Sequence, residues 1–167
     1  MAAKVTLNLP RSLWTAKDSL GLASNTLAQI KIRTGKGVDA NGRPFKDYSQ
    51  KPIYVSKKGA RLAPKGGRPS RTGKSIYYNK GYAQYKEDSR RRGQGGESAS
   101  VDLVLSGNML NNFVVTEATK DGFKIGLTKN AKYGYAVNEK REFIGLTPGE
   151  IELIVKAVEI DLRNKLK

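Results

Sequence analysis

The chain has 167 residues, 38% of them hydrophobic, and 31 Lys and Arg against 15 Asp and Glu give it a net charge of +16. It contains no cysteine and no histidine, which excludes disulfides, thiol nucleophiles and zinc ribbons and removes the commonest general base and metal ligand near neutral pH. Its length fits one domain, 1–167, carrying at most a long insertion, and its charge points to nucleic acid, an acidic protein surface or an anionic membrane as partner.

Val5, Leu7 and Leu9 alternate with polar residues and predict a short half-buried strand. Asn8 followed by Pro10 predicts the cap and first turn of a helix. Leu13, Ala16, Leu20, Ala23, Leu27 and Ile30 then recur at three- and four-residue spacing, an amphipathic stripe expected to lie on the domain's own sheet, with a subunit-to-subunit contact as the alternative. Gly35 and Gly37 would end this helix, about 35 Å long at ~1.5 Å per residue.

Residues 36–100 read differently. Glycine, lysine, arginine and serine dominate, and the apolar residues show no sustained period. Residues 31–100 hold 18 basic and 5 acidic side chains, a net +13, so the rest of the chain carries only +3. A segment of this composition buries too little apolar surface to offset the entropy of ordering it. The expectation is a basic, extended, loop-rich insertion or arm that a neighbouring copy orders.

Regularity returns at 101–167, the expected hairpin-plus-helix core. Val101, Leu103 and Leu105 alternate as a strand, and Ser106 with Gly107 breaks it before a tight turn or single helical turn at 108–112. Phe113, Val114, Val115 and Thr116 predict a second strand, which Lys120, Asp121 and Gly122 close into a hairpin with Phe123, Ile125 and Leu127. Thr147 with Glu150 three positions on is a capping box. Ile151, Ile154, Val155, Val158 and Leu162 mark one face of the helix that follows, and Leu153, Ala157 and Ile160 broaden it, predicting burial on more than one side. Arg163, Lys165 and Lys167 suit the C-terminal end of its dipole. The fold class is therefore α+β: a small antiparallel sheet packed with an N-terminal and a C-terminal helix, plus the basic insertion.

No catalytic, metal or cofactor site emerges. The stretch from Gly67 through Gly73, Lys74 and Ser75 resembles a phosphate loop only loosely, with five residues between its glycines where four are needed and Arg68 where the first glycine should stand. The carboxylates Glu150, Glu152, Glu159 and Asp161 are scattered along one helix, and no acidic cluster has metal-ligand spacing. The strongest physical signal is basic. Lys57, Lys58, Arg61, Lys65, Arg68, Arg71 and Lys74 recur every few residues, and Arg90, Arg91 and Arg92 add a compact patch. These are candidate contacts to DNA or to an acidic partner, insensitive to base sequence because no recognition-helix or RNA-binding signature accompanies them. Tyr77, Tyr78, Tyr82 and Tyr85 lie between the basic groups, either to stack on bases or, as we expect, to anchor the segment at a subunit interface.

Several short motifs occur in an order that resembles the virion-morphogenesis and tail-completion proteins of tailed bacteriophages. Asn41-Gly42-Arg43-Pro44-Phe45 and Tyr48-Ser49 match that family's Gly-x-Pro-aromatic segment. Gly81-Tyr82 and Tyr85-Lys86 follow, and then the strand from Val101 entering Ser106-Gly107 and Met109-Leu110. Phe123, Ile125 and Gly126 end a hairpin, and Tyr135-Ala136, Arg141, Phe143, Gly145, Leu146 and Thr147 lead into the terminal helix. Val137, Asn138 and Glu139 stand where many members carry a His-Gln-Gly-like triplet. The likeness covers about three quarters of the chain in ordered motifs, with 57–74 outside it. It implies a non-enzymatic virion protein of the neck or tail: a homo-oligomeric ring, hexameric or dodecameric, acting as tail-completion, terminator or connector subunit. Partners would be other neck and tail proteins and genomic double-stranded DNA in the lumen. Gly107, Leu110, Tyr135, Arg141 and Phe143 would be structural, with Phe143 packed and Arg141 paired with a carboxylate. The alternative is a stand-alone nucleic-acid-binding protein that uses the basic segment. No apolar run approaches the ~20 residues needed to span a bilayer, and residues 1–9 lack the pattern of a secretory signal, so synthesis and assembly in the host cytoplasm are expected, with no membrane partner.

Overall fold

The computed structural model describes residues 2–9, 13–57, 66–89, 101–103 and 107–167. In chain order the elements of the described residues are β1 (Ala3–Thr6), α1 (Ala16–Gly35), β2 (Ile53–Ser56), β3 (Arg68–Pro69), β4 (Ser75–Tyr78), α2 (Gly81–Ser89), α3 (Asn108–Asn111), β5 (Phe113–Thr119), β6 (Gly122–Leu127), α4 (Tyr133–Lys140) and α5 (Pro148–Lys165), with a 3-10 turn at Lys129–Ala131. They divide into two compact units, one of Met1–Phe45 with Gly107–Lys167, the other of Lys46–Ser106. The α+β class holds, with a small antiparallel sheet in each unit.

In the first unit the strand order is β1-β6-β5, all antiparallel. β5 and β6 form the expected hairpin, and its closing residue Gly122 has φ +140°. A Cβ there would lie 2.1 Å from the Val5 carbonyl oxygen, so only glycine lets β1 pair at this point. A bulge between Val115 and Glu117 shifts the register of β5, which moves its later inward position to Ala118. Trp14, Ile30, Phe113, Phe123, Ile125 and Phe143 are the buried centre, with Phe113 and Phe143 meeting edge-on at 5.7 Å.

α1 lies across β5 and β6, as expected of the N-terminal helix. It begins later than the Asn8–Pro10 signal suggested. Thr15 is the cap, accepting from the Asp18 N–H at 3.3 Å while its own N–H donates to Asp18 at 2.8 Å. At ~1.5 Å per residue its 20 residues span about 30 Å. The buried face is also turned from the expected stripe. Ser19, Leu22, Ala23, Thr26, Ile30, Arg33 and Thr34 point inward, whereas Leu20 is half-exposed. The inward polar groups are mostly satisfied nearby: Thr26 donates to Leu22 O at 2.8 Å, and Ser19 accepts from the Trp14 indole at 2.7 Å.

α5 departs most from expectation. Its capping box forms as read, Thr147 accepting from Glu150 N at 3.2 Å and Glu150 from Thr147 N at 2.8 Å. The helix is not buried on several sides. It packs chiefly on α1, and only Glu150, Ile154 and Val158 are fully covered. Ile151, Leu153, Val155, Ile160 and Leu166 are left open at about half their surface or more.

The second unit falls within the segment expected to be extended, and it has a core of its own. Its sheet order is β2-β4-β3, with Ile53, Val55, Ile76 and Tyr78 on one face. Tyr78 is fully buried and donates to Asp88 on α2 at 2.7 Å. Tyr48, Tyr82, Tyr85 and Tyr78 form a chain of ring contacts at 5.1 to 5.7 Å. Tyrosine rings supply the apolar area that the sparse aliphatic residues lack. Val101 and Leu103 are not in a strand: φ of +54° at Leu103 breaks the extended backbone, and Leu105 lies outside the described residues.

Candidate functional site

The most specific polar geometry in the first unit is buried at the α1–α5 seam. Arg33, in the last turn of α1, forms an ion pair with Glu150 in the first turn of α5. Its guanidinium also donates to the carbonyls of Phe143 at 2.7 Å and Gly145 at 3.2 Å. Burial pulls the Arg33 pKa below its ordinary value, opposed by the Glu150 charge and hydrogen bond. Arg33 therefore fastens α1 to both the cap of α5 and the loop before it. At the opposite end of the seam, Lys165 pairs with Asp18 at 2.5 Å and donates to Leu13 O at 3.0 Å. Hydrogen bonds from Lys165 and Thr15 hold the Asp18 carboxyl at about 2.

The family-like motif residues serve turns and packing. Asp39 accepts from the N–H groups of Asn41 and Arg43, each at 2.8 Å, which closes a turn around Gly42 (φ +78°) and delivers Phe45 to the core. Gly107 is left-handed (φ +78°) before α3, which buries Met109, with Leu110 partly covered. The Tyr135 hydroxyl accepts from Leu127 N at 3.3 Å. Asn138, in the position of the family's triplet, accepts from the N–H groups of Phe143 and Ile144 at 2.9 and 2.7 Å. Phe143 is fully buried, and Arg141 is partly covered.

Five of the described carboxylates are likewise occupied by structure. Asp18 and Glu150 cap helices, Asp39 closes a turn, Asp88 accepts from Tyr78, and Glu117 pairs with Lys124 across the hairpin. Among the described residues no group of three or more acidic side chains could hold a metal. In the second unit Lys86, a residue of the resemblance motif, is buried against Asp102 and donates to the Tyr48 hydroxyl at 2.9 Å.

Of the basic candidates, Lys57, Arg68, Arg71 and Lys74 are exposed around the β2-β4-β3 sheet. Lys58, Arg61, Lys65, Arg90, Arg91 and Arg92 lie outside the described residues. Of the tyrosines expected at a subunit interface, Tyr78 has no free surface and belongs to the core, while Tyr82 and Tyr85 are partly covered by their ring contacts. Tyr77 faces the open side of the sheet, beside Tyr54 at 5.0 Å between ring centroids. Tyr54 was absent from the sequence-derived candidates, although the alternation Ile53, Tyr54, Val55, Ser56 marks it as the outward aromatic of a strand.

Comparison of the chain with protein-family models, with curated proteins and with solved structures finds no match.

Proposed function

We propose that this chain is a non-enzymatic ring subunit of the head–tail joint of a tailed bacteriophage, in a tail-completion, terminator or connector role, and that it assembles through the exposed apolar flanks of α5. The observation that carries the reading is the set of large apolar residues on that helix and at its C-cap: Ile151, Leu153, Val155, Ile160 and Leu166 stay open while α5 packs chiefly on α1. Ile151 with Val155 on one flank and Leu153 with Ile160 on the other, beside the line that Ile154 and Val158 bury, mark protein contacts. Copies of the same chain are the natural occupant in a ring, where each subunit sets one surface against a different surface of its neighbour. The motif order supports the family, and the turn and core roles of those motifs suit a scaffold whose contacts lie elsewhere.

The test is light scattering after size exclusion in high salt, which strips adhering nucleic acid. A discrete hexamer or dodecamer is expected, and the double variant Ile151→Lys with Val155→Lys should run as a monomer with unchanged unfolding. A wild-type chain that stays monomeric at every concentration and binds no neck or tail protein would remove the reading.

A further inference from the structure

The open face of the second unit's sheet has a composition that the ring reading does not use. Residues directly opposite in an antiparallel sheet share a face. Tyr54 on β2 is opposite Tyr77 on β4, and Tyr77 is opposite Arg68 on β3. The three form one row across the sheet, aromatic, aromatic, cationic. Tyr54 is 68% exposed, and Arg68 is exposed beside Tyr77. Ser56 and Ser75, opposite each other on the same face, add only small side chains, so the rings stand clear.

Around this row the cations are free to act on a ligand. Arg71 and Lys74 are exposed in the β3–β4 turn, and Lys57, also exposed, is tied to that turn by its N–H bond to Lys74 O at 3.0 Å. The unit as a whole holds 14 basic and 5 acidic residues, a net +9. Two of the acidic residues are turned inward, Asp88 onto Tyr78 and Asp102 onto Lys86. Lys86 is buried with Asp102, so that pair cancels in the count.

We propose that this face binds single-stranded nucleic acid without sequence preference, with a base stacking on Tyr54 and Tyr77 and phosphates held by Arg68, Arg71, Lys74 and Lys57. The chemistry selects this ligand over the other polyanions. An acidic peptide would satisfy the cations and leave the two outward-facing rings unused, and a duplex keeps its bases stacked on each other and offers the sheet only phosphates. An unstacked strand uses both sets of groups. The site does not depend on ring assembly.

The experiment is fluorescence anisotropy of the 167-residue chain, purified free of nucleic acid, titrated into a labelled oligo-dT of about 12 nucleotides, with a duplex of equal length and poly-glutamate as competitors. Tyr54→Ala should weaken oligo-dT binding roughly tenfold, the loss of one stacked base, while Tyr54→Phe keeps most of the affinity. Arg68→Gln should lower the slope of log affinity against log salt by about 0.7, and Lys120→Gln, a charge-matched change in the first unit, should leave affinity as it was. Tyr54→Trp gives a second readout, since its fluorescence should be quenched by oligo-dT. Equal binding by wild type and Tyr54→Ala with an unquenched Tyr54→Trp would overturn the proposal. So would duplex or poly-glutamate competing as well as oligo-dT, or no binding at low salt.

Discussion

Glu150→Gln isolates the charge of the buried ion pair from the cap it also makes. A glutamine at N3 can still accept from Thr147 N–H, so the capping box survives in outline. What is lost is the countercharge of Arg33, whose side chain is about nine-tenths covered. Removing one partner of such a pair costs about 3–5 kcal/mol, because the remaining ion stays buried and unpaired. Arg33 keeps its bonds to the Phe143 and Gly145 carbonyls, which places the expected loss near the lower end, about 3 kcal/mol. With an m value of roughly 2 kcal/mol per molar urea, the midpoint should fall by about 1.5 M. The assay is built in: Trp14 is the only tryptophan, it is buried in the first unit, and its emission follows the unfolding of that unit alone. The double variant Arg33→Met with Glu150→Gln should recover much of the loss, since no charge is then stranded. A loss under about 1 kcal/mol for Glu150→Gln, or strict additivity in the double variant, would refute the ion-pair account.

Four further outcomes follow from the geometry. Asp18 titrates near 2, below its ordinary 3.8, so the stability it adds is present above pH 3.8 and is lost as pH falls toward 2. In Lys165→Gln the Asp18 carboxyl, followed by NMR, should titrate closer to 3.8, and an unmoved midpoint would remove Lys165 as the cause. Gly122→Ala should loosen β1 and cost more than about 2 kcal/mol, seen as lost amide-exchange protection across Ala3–Thr6 while Ile30 stays protected. Tyr78→Phe deletes the hydroxyl that Asp88 accepts from and should destabilise the second unit by about 1–3 kcal/mol, read from amide exchange in β4. Thr147→Ala removes one cap bond and should cost about 1 kcal/mol, well short of Glu150→Gln.

Features written within a few residues were legible in the sequence: the Thr147–Glu150 box, the hairpin turn at Gly122 and the single helical turn before Phe113. The start of α1 was misplaced because its box uses Asp18 rather than Glu at N3, and Asn8 with Pro10 gave the louder signal. Its inward face was turned because Ser19, Thr26, Arg33 and Thr34 are buried there, and a search for apolar periodicity passes over polar side chains that find partners. The second unit was read as coreless because tyrosines, not aliphatic residues, fill it. Arg33 and Glu150 are 117 residues apart, and nothing local announces that they meet. The charge of the basic segment was plain, yet the outward side of β2 needed the strand pairing before Tyr54 and Arg68 could be put in one row.

The two ends of the α1–α5 seam are fastened separately, by Arg33 with Glu150 and by Asp18 with Lys165. Between them Ile154 and Val158 of the later helix are the apolar residues fully committed to holding it in place. The outward positions of α5 are thereby relieved of any duty to the fold. Sequence drift at 151, 153, 155 and 160 can rewrite what this helix recognises without touching what keeps it attached. A lineage carrying this scaffold could exchange one neighbour for another by a few surface substitutions, with its stability intact throughout.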